Sequence, residues 1–149
     1  MIKAILTGVK YLHDNGIVHR DIKAQNLLLL TSKDLSKIKV ADFGLSAFYH
    51  ASDLKKLSAK CGTLIYMAPE ILKGQAYSKK VDIYSIGILL WIIITGKLPF
   101  KENNRQDIIK WHMKPKWDFE DGYWSSELKE FFLKLVELDP KERYDVNLA

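Results

Sequence analysis

The chain has 149 residues, 48% of them hydrophobic, 11% aromatic and 28% charged, and carries a net charge of +5. That balance describes a globular domain with one real core and excludes a fibrous or disordered chain. A single cysteine, Cys61, excludes an internal disulfide and a cysteine-rich metal site, and it fits a reducing, cytoplasmic or nuclear compartment.

The start, MIKAILTGVKYLHDNG, lacks the apolar core and cleavage site of a secretory signal. Ile2, Ile5, Leu6, Val9 and Leu12 recur at helical spacing, and Gly16 is a suitable stop. Three short runs follow, GIV at 16–18, LLLL at 27–30 and IKV at 38–40, and they predict short strands in hairpins. Residues 44–69 show neither period, and a stretch of that length reads as a functional loop. Residues 78–95, SKKVDIYSIGILLWIIIT, are apolar nearly all round, which predicts a helix at the centre of the domain, ended by Gly96 and Pro99. Its greasiest part, 83–94, is about half the length needed to span a bilayer. A shorter helix is predicted over 105–112. The last helix starts at Ser125 as N-cap with Glu127 in its first turn, and Pro140 marks its stop. Its apolar stripe is Leu128, Phe131, Phe132, Leu135 and Val136. Lysines alternate with acids along most of the chain, so the positive balance predicts a solvated surface, with no nucleic-acid partner and no membrane segment.

The stretch HRDIKAQN at 19–26 places an aspartate, a lysine and an asparagine within eight positions. Phosphoryl transfer from a nucleotide asks for such a set: a carboxylate to accept a hydroxyl proton, a cation on the moving phosphate, and hard oxygen ligands for magnesium. Asp21, Lys23 and Asn26 supply the first three groups. A second, charged metal ligand comes sixteen residues after Asn26, as Asp42 in ADFG at 41–44. The intervening strand, turn and strand fold back in this reading so that Asn26 and Asp42 face one another, with Gly44 letting the backbone turn sharply beside the metal.

These two motifs resemble those of the catalytic half of a eukaryotic protein kinase. The resemblance implies an α+β kinase-like fold, of which residues 1–149 are the mainly helical large lobe with short β-hairpins carrying the catalytic and magnesium loops. It implies ATP and Mg²⁺ as cofactors and a protein Ser/Thr hydroxyl as substrate. Asp21 is then the catalytic base, Lys23 steadies the γ-phosphate, Asn26 and Asp42 hold magnesium, and Leu28 lies under the adenine. His19 is a packing residue of the loop, and Phe43 packs beneath it to report active or inactive geometry. CGTLIYMAPE at 61–70 resembles the end of an activation segment, with Thr63 near the catalytic aspartate and Glu70 as anchor. Asp82 matches the helix aspartate that ties down the catalytic loop, and Arg143 the arginine that pairs with Glu70.

Lys23 and Thr63 resemble the serine/threonine type, and IKVADFGLS, CGT and GILLWIIITGKLPF resemble the calcium/calmodulin-dependent group. Two departures bear on specificity and control. Ala24 and Gln25 stand where the family often has Pro-Glu, which removes a charge that helps to recognise a substrate arginine. Arg20 is the residue that clamps an activation-loop phosphate in many relatives, but Ala59 stands at the usual threonine. Ser58, or more distantly Ser52, is the expected substitute. Lys55, Lys56 and Lys60 are expected to be solvated charges, and Cys61 an inert, partly packed thiol. No glycine-rich phosphate loop and no VAIK-type lysine is found, so the small lobe is expected ahead of Met1 and the final helix is expected to be clipped at Ala149. With one wall of the cleft, weak ATP binding, little phosphoryl transfer and an exposed lobe interface are expected of this chain by itself. The alternative is a kinase-like scaffold without catalysis.

Overall fold

The apolar stripe at the front of the chain folds as helix α1 (Ile2–Asp14), which buries Ile5, Leu6, Val9, Leu12 and also His13. The computed structural model describes residues 1–31, 34–49, 57–101, 103–119 and 122–149. The three predicted strands are present as β1 (Ile17–Val18), β2 (Leu27–Leu29) and β3 (Ile38–Val40). β2 and β3 form an antiparallel hairpin with Leu27 opposite Val40. β1 does not pair with its neighbours in sequence. It pairs with β4 (Ala47–Phe48), a two-residue strand inside the stretch expected to be plain loop. Two residues give no alternation to detect, so that strand is fixed by tertiary pairing alone.

The same stretch contains a 3₁₀ turn at Leu64–Tyr66 and leads into the one-turn helix α2 (Pro69–Leu72), which opens on a proline at its first position. Helix α3 (Lys80–Thr95) is the axis of the molecule, with every residue from Val81 to Trp91 buried. A helix apolar on all faces can only be stable with protein on all sides. Helix α4 (Arg105–Met113) is capped by the Asn104 side chain, and α5 (Ser126–Leu135) by the Ser125 hydroxyl, which accepts the Leu128 N–H. Of the predicted α5 stripe, Phe132, Leu135 and Val136 are buried and Leu128 and Phe131 pack half-buried against them. Trp91 joins α3 to this side through rings of Trp117, Phe119, Trp124 and Phe132, at centroid distances of 5.1 to 5.7 Å. Among the described residues, no helix is long and apolar enough to cross a membrane.

α3 and α5 approach closely at Gly87. A Cβ there would lie 2.4 Å from Val136 Cγ1 and 3.1 Å from Leu135 Cβ. Gly87→Ala is therefore expected to lose stability by about 1–3 kcal/mol through overpacking, despite alanine's better helix propensity. A urea unfolding midpoint no lower than wild type would contradict this.

Candidate active site

The loop between β1 and β2 hangs from α3 by one buried carboxylate. Asp82 Oδ2 accepts the His19 backbone N–H at 2.9 Å, and Oδ1 accepts the Arg20 N–H at 2.8 Å. Arg20 takes a left-handed backbone, φ 68°, at this point. Nε2 of His13, from α1, lies 2.9 Å from Asp82 Oδ2 and gives the buried carboxylate a third partner. His13 carried no sequence signal, because a histidine beside Leu12 on an apolar stripe looks like ordinary core.

His19 is fully buried and both ring nitrogens are engaged. Nδ1 accepts the Asp21 N–H (3.3 Å), which leaves Nε2 to donate to the Ala41 carbonyl (3.0 Å). Its ring meets Phe43 edge-on at 5.2 Å. The histidine of one motif is thus bonded to the backbone of the other.

Asp21 is the centre of the polar cluster. Oδ2 accepts the Lys23 ammonium at 2.7 Å and the Asn26 amide at 3.2 Å. Oδ1 accepts the Thr63 N–H at 2.9 Å and its hydroxyl at 2.7 Å. Lys23 also donates to Thr63 Oγ1 at 2.9 Å. Burial pushes the Asp21 carboxyl up, but the hydrogen bonds from Lys23 and Thr63 and the lysine's charge outweigh it, so the group lies below the ordinary aspartate value. It is a carboxylate at neutral pH.

Asn26 is held by the 3₁₀ turn Ala24–Asn26, and its Nδ2 donates to the Asp21 carbonyl at 2.9 Å. With the nitrogen so committed, Oδ1 is the atom left for a cation. The Asn26 carbonyl accepts the Ala41 N–H at 2.8 Å, one step beyond the β2–β3 register. The hairpin therefore delivers Asn26 and Asp42 to the same end. Gly44 lies in a turn closed by Ser46 N–H on Phe43 O (3.0 Å), yet the left-handed residue is Asp42 itself, φ 63°. Its Oδ1 accepts the Gly44 N–H at 3.2 Å, a local bond that lets an aspartate tolerate this conformation. Among the described residues no three His, Cys, Asp or Glu converge as a metal site. One amide oxygen and one carboxylate suit magnesium, which takes few protein ligands and completes its shell with phosphate and water. Leu28 is 54% exposed and Phe43 48%, with Leu29 and Leu30 similarly open.

Arg143, 1% exposed, forks Glu70 of α2 with Nη1–Oε1 at 2.7 Å and Nη2–Oε2 at 3.0 Å. It also donates to the Glu137 and Lys80 carbonyls and stacks over the Tyr84 ring. Arg20 donates to the Leu45 and Ser46 carbonyls and to the Tyr77 hydroxyl. Ser58 and Lys60 are exposed, and Cys61 is half-buried. Ser52, Lys55 and Lys56 lie outside the described residues.

A loop hung from a buried helix carboxylate, a hairpin carrying Asn26 and Asp42 to one end, and a segment anchored by an arginine–glutamate fork define a protein-kinase-like fold. The protein kinase domain model matches residues 1–148, and the chain belongs to that family. It is 39% identical over 146 residues to a calcium/calmodulin-dependent protein kinase type I of Schizosaccharomyces pombe, covering 96% of this chain and 44% of that protein. Similar matches are calcium/calmodulin-dependent protein kinases type 1 of Macrobrachium nipponense, 37% identical over the whole of this chain and 43% of that protein, and of Caenorhabditis elegans, 37% over 97% and 41%. The chain spans less than half the length of each of these relatives.

Proposed function

We propose that the protein transfers the γ-phosphate of ATP to a serine or threonine hydroxyl of a protein substrate. The observation that carries the proposal is the Asp21 carboxylate, bonded at 2.7 Å to both the Lys23 ammonium and the Thr63 hydroxyl. A substrate hydroxyl entering beside Asp21 gives it a proton as its oxygen bonds to the γ-phosphorus, and the bond from that phosphorus to ADP breaks. Lys23 stands one hydrogen bond from the acceptor, placed to offset charge on the transferred group. Magnesium, when bound, neutralises charge on the phosphates, and Asn26 Oδ1 with Asp42 are the oxygens that would hold it. The exposed face of Leu28 offers an apolar wall for the adenine. Gln25 is exposed and neutral, so no strong preference for basic substrates is proposed. A cytoplasmic setting, or the nucleus, is proposed on the free Cys61 thiol, which fits a reducing compartment.

The test is Asp21→Asn in the full-length protein, assayed for transfer to a serine peptide. Loss of the proton acceptor is expected to lower kcat at least about a hundredfold with little change in the KM for ATP. An unchanged kcat overturns the assignment of Asp21. A wild type that binds the peptide but transfers nothing favours a scaffold.

A further inference from the structure

Tyr77 has no part in the chemistry above, yet its phenol joins two functional loops. The ring is buried, with the hydroxyl accepting from Arg20 Nη1 at 3.3 Å and donating to the Ala59 carbonyl at 2.8 Å. The Tyr77 backbone N–H donates to the Leu57 carbonyl at 2.8 Å, forming an isolated bridge, and Cys61 Sγ lies 4.0 Å from the phenol oxygen. Burial raises the phenol above its ordinary value, so it keeps its proton as a donor at neutral pH. The Arg20 guanidinium donates to three neutral acceptors, two carbonyls and this hydroxyl.

One residue beyond Cys61, the same segment is pressed against the catalytic loop. Gly62 has φ 110°, and a Cβ there would stand 2.6 Å from the Arg20 carbonyl oxygen. Only glycine allows that approach. Thr63, next in the chain, is the residue bonded to Asp21. The segment at 57–63 is thus laid along Arg20 and Asp21 by contacts of backbone, a phenol, a glycine and the Thr63 hydroxyl.

We infer that Tyr77 is a positioning residue: its phenol couples Arg20 of the catalytic loop to residues 57–61 and holds that segment in place without a phosphate. By this contact the phenol fastens residues 57–61 to Arg20 whether or not Ser58 carries a phosphate. For its kinetic consequence the inference rests on the kinase reading, but the holding of the segment can be measured without catalysis.

The experiment compares wild type and Tyr77→Phe in the full-length protein, before and after phosphatase treatment. Alkylation of Cys61 by iodoacetamide, followed on the peptide that carries it, reports how firmly the segment is held. Wild type is expected to react at one rate with or without phosphatase, and Tyr77→Phe about fivefold faster, as for loss of one hydrogen bond. The peptide KM is expected to rise by about the same factor while the KM for ATP stays put, a split that general loosening of the fold would not give. Should Tyr77→Phe fail to fold, Arg20→Gln removes the other half of the contact and carries the same expectation for alkylation. Equal alkylation in variant and wild type overturns the inference, and so does a wild type that loosens to the variant's rate on dephosphorylation. If wild type transfers no phosphate, the kinase proposal fails, and the alkylation rates still decide the role of Tyr77.

Discussion

Arg143→Ala is expected to destabilise the protein by about 3–5 kcal/mol, the cost of stranding a buried carboxylate. Glu70 is 4% exposed, and the Arg143 guanidinium, itself fully buried, is the cation that forks it. Removing the arginine leaves the carboxylate without its two charge-assisted bonds and also leaves the Glu137 and Lys80 carbonyls short of a donor. It opens a void against the Tyr84 ring as well. Glu70→Leu combined with Arg143→Leu is expected to cost less than Arg143→Ala, because an apolar pair leaves no buried charge unpaired. Urea unfolding of the three proteins checks both statements. A loss under about 1 kcal/mol in Arg143→Ala would show that water reaches Glu70 and replaces the pair.

That fork also shows what could be read from residue order and what could not. Asp21, Asn26 and Asp42 stood out because phosphoryl transfer demands those side chains, and the one-register relation of Asn26 to Ala41 follows from two β-rich runs joined by a turn. Glu70 and Arg143 lie 73 positions apart, and Asp82 lies 62 from Arg20, so only likeness to a family linked them in advance. The β1–β4 pairing, the left-handed Asp42 and the contacts of His13 and Tyr77 had no pattern to announce them. Each depends on where the buried α3 sets its neighbours, and a two-residue strand or a single histidine carries no period. The positive φ fell on Asp42 rather than Gly44 because the aspartate's own side chain bonds the next turn.

His112 was likewise silent in sequence, and it makes the fold acid-sensitive. It lies fully buried in α4, with Nδ1 2.8 Å from the Tyr84 hydroxyl and rings of Phe100 and Trp111 around it. Burial keeps Tyr84 protonated far above neutral pH, so the hydroxyl donates and the imidazole accepts as a neutral ring. Nε2 has no well-formed partner among the described residues. Burial lowers the His112 pKa to about 4, with the nearby backbone of Leu64 and Ile65 opposing it only in part. The unfolded chain takes up its proton near the ordinary value of 6.5, so between pH 6.5 and 4 the unfolded state binds more protons than the folded one. Stability from the neutral ring is complete above that window and is lost as pH falls through it, by about 2 kcal/mol at pH 5 and about 3 kcal/mol in full. His112→Asn keeps an acceptor near the Nδ1 position but cannot charge. Between pH 7 and 5, wild type is expected to lose about 2 kcal/mol more than this variant in urea unfolding. Because α4 packs on the 3₁₀ turn at Leu64–Tyr66, peptide KM is expected to worsen in acid before the fold is lost, and less so in His112→Asn. Parallel pH profiles for the two proteins would mean that the ring is solvated when charged, and the acid sensitivity would then belong to other groups.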